Sequence, residues 1–278
     1  MEHHELSDIQ KKLLEMLTWF DSFCRENNIP YYAVGGTLLG AVRHNGFIPW
    51  DDDIDVAIPR KDYVRLENLM RGKKYGPYVL ETQNSEAKDY CYPYTKLYDT
   101  STTLIEHCKK PLVRGIFLDI FPLDGLGKNR FKGLKWFHSI SREYHFYLTR
   151  IAAIRKDRSF YKNIAIYVSR LLPYFIIDDV KLRKHLDKRC SKYSLDDSDI
   201  GGILLGNWGF KEMVPVKVIG RPKEYLFENI KIMGIEDYDV YLKHVYGDWR
   251  KLPPIKKQIT HHDFLLLDLN KSYFDYNR

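Results

Sequence analysis

The chain has 278 residues, 44% of them hydrophobic and 14% aromatic, which is enough apolar mass for a sizeable core and excludes an intrinsically disordered protein. Four cysteines far apart (Cys24, Cys91, Cys108, Cys190), with no CxxC pair, argue against a disulfide framework or zinc ribbon and for free thiols in a reducing, cytoplasmic setting. The formal charge of +7 is uneven, because residues 128–192 carry 17 Lys/Arg against 5 Asp/Glu and so point to an anionic partner.

The N-terminus is polar and then amphipathic, without the pattern of a signal peptide. Leu6 to Asn27 reads as a helix, its apolar residues recurring at helical spacing and Asn27-Asn28 offering a stop before Pro30. A short strand, Tyr31 to Val34, runs into Gly35-Gly36, and Thr37 to His44 forms a helix opened by those glycines. Ile54-Val56-Ile58 is a second strand closed by Pro59, and Asp62 to Met70 a further helix. Tyr78–Thr82, Tyr94–Tyr98, Thr102–Ile105 and Gly115–Phe121 are strand candidates, the last ending at Pro122. Residues 128–193 are basic, aromatic and largely helical. Within them the run 164–177 is apolar but too short to cross a bilayer, so it either packs into the protein or lies in a membrane interface. The tail alternates short strands and turns before a helix at Tyr238–Tyr246.

The stretch FIPWDDDIDV (residues 47–56) concentrates the chemistry. Strand alternation turns Asp53 and Asp55 to one face and Ile54, Val56 and Ile58 to the other. Two carboxylates on one face repel each other unless a divalent cation lies between them, and oxygen-only ligands suit magnesium or manganese. Asp51 and Asp52 precede the strand and read as supporting or turn residues. Upstream, Gly35-Gly36 between strand and helix exposes backbone N–H groups at a positive helix end, a ready phosphate site. Asp119, alone in the apolar strand of GIFLDIFPLDG, supplies a third carboxylate as ligand, proton acceptor or both. Asp124, in PLDG, reads instead as a turn aspartate.

The run YYAVGGTLLGAVRHNGFIPWDDDIDVAIPRKDY resembles the signature of the LicD family, within the polymerase-β-like nucleotidyltransferase superfold. The resemblance continues through KLYDTSTT and GIFLDIFPLDG and, more weakly, in YLKHVYGDWRKLPP. It implies an α+β fold: a nucleotidyltransferase-like core with a short mixed sheet flanked by helices, plus a basic helical insertion. The expected division is a catalytic core at 1–127, a basic helical segment at 128–193, and a C-terminal part at 194–278 completing the core and acceptor site. The activity implied is Mg²⁺- or Mn²⁺-dependent transfer of phosphocholine from CDP-choline, or of another CDP-activated phospho-alcohol, to a sugar hydroxyl of a bacterial surface glycan. Carried over by motif, Gly35, Gly36 and Thr37 hold donor phosphate, Asp53, Asp55 and Asp119 bind the metal, and Asp119 serves as base.

Arg43 and His44 touch phosphate or brace the acidic loop. Lys96 contacts donor phosphate or pairs with an aspartate, and Trp50 stacks on the donor or packs in the core. A lipid-linked acceptor at the inner membrane face makes residues 128–177 the expected site of peripheral contact with anionic lipid. The competing enzyme reading is a nucleotidyltransferase that attaches NMP to a sugar, small molecule or RNA. No RNA-binding module signature accompanies the basic segment, so no nucleic-acid partner is expected. A third reading, a binding module with a decayed site, conflicts with the intact glycine and aspartate set. His261-His262 reads as surface tail.

Overall fold

Ser7 opens the first helix, α1 (Asp8–Glu26), through a capping box in which Ser7 and Gln10 satisfy each other's backbone N–H groups. Leu13, Met16, Leu17, Phe20 and Cys24 then fall on one side and are buried. The computed structural model describes residues 6–156, 158–171, 178–260 and 264–276. After α1 come β1 (Tyr32–Ala33), α2 (Gly35–His44), β2 (Asp55–Pro59) and α3 (Arg60–Met70). Strands β3 (Lys74–Tyr75), β4 (Tyr78–Glu81), β5 (Thr95–Asp99), β6 (Thr103–Glu106), β7 (Leu112–Arg114) and β8 (Phe117–Gly125) follow. Three helices fill the basic segment: α4 (Arg130–Ile151), α5 (Phe160–Leu171) and α6 (Asp179–Cys190). The remainder is β9 (Ile200–Gly202), β10 (Val214–Pro215), α7 (Val216–Ile219), β11 (Lys223–Phe227), β12 (Ile230–Gly234), α8 (Tyr238–Tyr246), β13 (Phe264–Asp268) and α9 (Tyr273–Tyr276).

The fold is α+β. Its main sheet runs β11-β12-β1-β2-β8-β5-β4-β3, with β9 and β10 attached along the end of β8, while β13-β6-β7 form a smaller sheet. The β1–β12 and β2–β8 ladders are parallel and the others antiparallel, so the sheet is mixed. β8 lies between β2 and β5 and all nine of its residues are buried. The main core joins α1, α2 and α3 to this sheet and reaches Trp249 in the C-terminal part. A second core lies between α4 and α6.

Several expectations change. β8 does not end at Pro122: it continues to Gly125, with Pro122 opposite Ile58 in the parallel ladder. The missing proline N–H removes one possible ladder bond, but burial on all sides carries the strand past it. β2 is buried on both faces at Val56, Ala57 and Ile58, rather than split into polar and apolar sides, because helices or strands cover it throughout. Asp53 precedes that strand instead of belonging to it. The four cysteines are free, yet Cys91 and Cys108 meet with sulfurs 2.6 Å apart, a proximity their sequence spacing does not reveal. Of the apolar run 164–177, residues 164–171 belong to α5 and its face is largely exposed, while 172–177 lie outside the described residues, as do His261 and His262.

Candidate active site

Two ladders set the floor of the site. In the parallel β2–β8 pair Asp55 is opposite Asp119, and in the antiparallel β5–β8 pair Lys96 is opposite Asp119. Three charged residues thus stand side by side across the most buried strands of the sheet. Lys96 Nζ lies 3.1 Å from Asp119 Oδ1 and 3.4 Å from Glu106 Oε1, and it rests 3.8 Å and 3.2 Å from the ring centroids of Tyr92 and Phe117. Of its two anticipated roles, the salt bridge to an aspartate is the one seen.

Above this floor is a chamber of about 220 Å³. Asp53, Asp55, Glu106 and Asp119 give it acidity, while Tyr92, Tyr94, Phe121 and, from α4, Tyr144 wall it with aromatic rings. The Tyr94 hydroxyl is 3.4 Å from Asp119 Oδ2, and the Tyr92 hydroxyl donates to Glu106 Oε1. A smaller pocket adjoins it, lined by Gly35, Asp55, Glu212 and Tyr241 and sharing Asp55, Phe121 and Asn207 with the chamber.

Burial and crowding show in the protonation of these groups. Asp55 is raised well above the usual carboxylate range by burial and then by Asp53, Asp119 and Asp51. Burial likewise pushes Asp119 up to about 6, against the pull of Lys96. Burial would lower Lys96, but Asp119 and Glu106 reverse that and raise it. Glu212 is pushed up to about 7 by burial, although its Oε1 accepts the Trp208 N–H at 2.9 Å.

The glycines admit the acids. Gly35 adopts φ +53°, and a Cβ there would stand 3.3 Å from Asp55 Oδ2; a Cβ on Gly36 would come 2.6 Å from Asp51 Oδ2. Thr37 accepts the Asp55 backbone N–H on its hydroxyl at 2.8 Å, so it fixes the start of β2. Gln10 anchors the acidic loop from α1, donating to Asp51 O at 2.8 Å. Gly35, Gly36, Thr37, Asp51 and Asp55 are therefore one local assembly.

Arg43, His44 and Trp50 are not brought to the chamber. Arg43 donates to His44 Nε2 and to Trp249 O, both at 2.9 Å, and the His44 ring meets the Trp50 ring edge-on. Burial and the neighbouring Arg43 hold His44 down at about 4. Sequence reading also missed Glu106, Tyr92, Tyr94, Tyr144 and Glu212. Glu106 carried the signal used for Asp119, an acid in an apolar strand (TTLIEH); the others carried none. Asp124 is no turn residue: it is buried in β8 and held bidentately by Arg60, at 2.8 and 2.6 Å.

The donor set suits a hard divalent cation. Its candidate ligands are carboxylate oxygens; Glu106 Oε2 is buried without accepting any hydrogen bond among the described residues, and Asp119 Oδ1 meets the Lys96 ammonium at 3.1 Å. Among the described residues, no three His, Cys, Asp or Glu side chains are already gathered into a metal cluster.

Comparison with known proteins gives a consistent picture. The family model for the LicD/FKTN/FKRP nucleotidyltransferase domain matches residues 28–153, a span holding Gly35, Asp53, Asp55, Lys96 and Asp119. The lipopolysaccharide cholinephosphotransferase LicD of Haemophilus influenzae is 29% identical over 266 residues, which cover 94% of this chain and 97% of that protein. The ribitol 5-phosphate transferases FKRP of Homo sapiens and Mus musculus are each 45% identical over 53 residues, 19% of this chain and 10% of theirs.

Proposed function

We propose that this chain, whose residues 28–153 match the LicD/FKTN/FKRP nucleotidyltransferase domain, transfers phosphocholine from CDP-choline to a sugar hydroxyl of a bacterial cell-surface glycan. The observation that carries this reading is the chamber itself, in which buried acids share one cavity with an aromatic wall. A quaternary ammonium is attracted to aromatic faces, and Lys96 already presents an ammonium to Tyr92 and Phe117 there. The full-length similarity to a cholinephosphotransferase supports the same donor.

In this reading Asp53, Asp55 and Asp119 hold Mg²⁺ or Mn²⁺, which supplies charge compensation for the phosphate oxygens. The Gly35-Gly36 turn receives donor phosphate, with Thr37 keeping Asp55 in place. The acceptor hydroxyl attacks the phosphorus bearing choline, the bond to the CMP oxygen breaks, and the hydroxyl proton passes to Asp119. Residues 1–127 form the catalytic core and 194–278 complete it, while 128–193 face a lipid-linked acceptor at the inner face of the membrane. No helix among the described residues is long and apolar enough to cross a membrane.

A donor screen tests this. With Mg²⁺ present, the protein should release CMP from CDP-choline and an acceptor glycan, and Asp53→Ala or Asp55→Ala should abolish release while leaving the fold intact. Full activity in either variant overturns the metal assignment. Pyrophosphate released from a nucleoside triphosphate would instead establish the nucleotidyltransferase reaction.

A further inference from the structure

An amphipathic helix of a globular protein ordinarily turns its apolar stripe to the core. α5 does the reverse. Phe160, Tyr161, Tyr167 and Leu171 are 74%, 81%, 60% and 63% exposed, and Ile164 and Val168 between them are exposed as well. These positions recur at one, three and four residues, so they form a continuous stripe along a helix about 18 Å long. Of the twelve residues of α5, Ile166 and Ser169 are buried.

The helix is anchored from its other side by polar contacts. Arg150 of α4 donates to Ser169 O, and Arg170 donates to Arg150 O at 3.1 Å and to Ala152 O. The charge around the helix is mainly positive. From residue 155 to residue 171 five Lys/Arg stand against one Asp, and Lys156 and Lys162, near the start of the helix, are exposed. An apolar, aromatic stripe on a cationic segment matches the boundary of an anionic bilayer, where the rings enter the acyl edge and the ammonium groups meet phosphate.

Position gives the stripe a purpose. α4 contributes Tyr144, Leu148 and Ile151 to the chamber wall and Arg150 to the anchorage of α5. One helix therefore separates the stripe from the reaction site. We propose that the exposed face of α5 docks this protein on an anionic bilayer and so holds the chamber beside membrane-borne acceptor. This deepens the membrane contact proposed above, and it holds whichever alcohol the donor carries.

Full-length protein sedimented with vesicles containing phosphatidylglycerol, and with vesicles of phosphatidylcholine alone, tests the proposal. Binding should be at least about tenfold tighter to the anionic vesicles and should fall in 1 M salt, where the screening length shrinks to about 3 Å. The triple variant Phe160→Ser/Tyr167→Ser/Leu171→Ser should lose about tenfold or more of that binding with an unchanged circular dichroism spectrum. Lys156→Glu/Lys162→Glu, which alters only exposed positions, should weaken binding to the anionic vesicles alone. Equal binding to both vesicle types, or undiminished binding of the triple variant, overturns the proposal. So does light scattering that shows a dimer of the wild type broken by the triple variant, since a second copy would then cover the stripe. CMP release from soluble substrates should be the same in wild type and variants; its absence in all of them counts against the proposed reaction and leaves the vesicle result standing.

Discussion

Strand β8 carries two buried aspartates five residues apart, and their surroundings differ in kind. Asp124 meets the Arg60 guanidinium bidentately, and Asp187 of α6 meets the same guanidinium at 2.6 Å. Those contacts satisfy the acid and bind α3, β8 and α6 together. Asp119 has one lysine to share with Glu106, further carboxylates nearby and a cavity in front of it. A buried charge that is fully compensated serves the fold; one left short of compensation beside a cavity is available for chemistry. The contrast separates an acid held by its guanidinium from one that faces a cavity, without reference to sequence motifs.

Substitution on each side should therefore fail in opposite ways. Asp119→Asn should lower CMP release by about a thousandfold, the scale of a lost general base. Its stability should hold or rise, because like-charge repulsion with Asp55 falls. Arg60→Leu should do the converse. It leaves Asp124 and Asp187 without their cation, so urea denaturation should show a loss of about 3–5 kcal/mol, while the folded fraction keeps its turnover rate. An Arg60 variant of normal stability, or an active Asp119→Asn, would erase the distinction.

Glu212 sharpens the comparison through pH. Its folded pKa of about 7 lies above the ordinary 4.5, so between those values the folded protein holds a proton that the unfolded chain has released. Stability is then fully present below about pH 4.5 and is lost as pH rises toward 7. Glu212→Gln keeps an acceptor for the Trp208 N–H and removes the titration. The variant should gain up to about 3 kcal/mol over wild type at pH 8 relative to pH 4.5, measured by urea midpoints. A parallel pH dependence in the two proteins would place the titration elsewhere.

Much of this arrangement was legible in sequence because it rests on local rules. Helical spacing of Leu13, Met16, Leu17 and Phe20 gives α1, and the apolar run around Asp119 gives β8. The glycine pair and the acidic loop lie within the 21 residues 35–55, so their association followed from a short stretch of chain. What escaped reading is tertiary. Glu106 reaches the chamber because its strand, in a separate small sheet, places it over Lys96. Tyr144 does so because α4 crosses the cavity, and nothing in its helical spacing distinguishes it from Tyr147, which is also buried. Arg43 and His44 were drawn toward the site by proximity in sequence, yet they sit at the far end of α2, where they contact each other and Trp249. Proline misled at β8 because its local preference yields to a fully buried environment.

The mildest perturbation touches Asp119 without removing it. Tyr94 keeps its ring against Phe121, with centroids 4.4 Å apart, and offers its hydroxyl to Asp119 Oδ2 across 3.4 Å. Tyr94→Phe preserves the packing and deletes that donor. A hydrogen bond so long is weak, so the expected cost is about 1 kcal/mol or less, no more than about fivefold in turnover. The direction is more telling than the size. Donation to the ionised acid favours its charged form, so its loss should raise the Asp119 pKa and move the acidic limb of the pH–rate profile upward. The corresponding loss around Asp124 would leave that limb where it is, because Arg60 holds Asp124 apart from the chamber. A Tyr94→Phe enzyme with an unmoved limb would mean that the base is not Asp119, and the two aspartates of β8 would no longer differ in the way their surroundings imply.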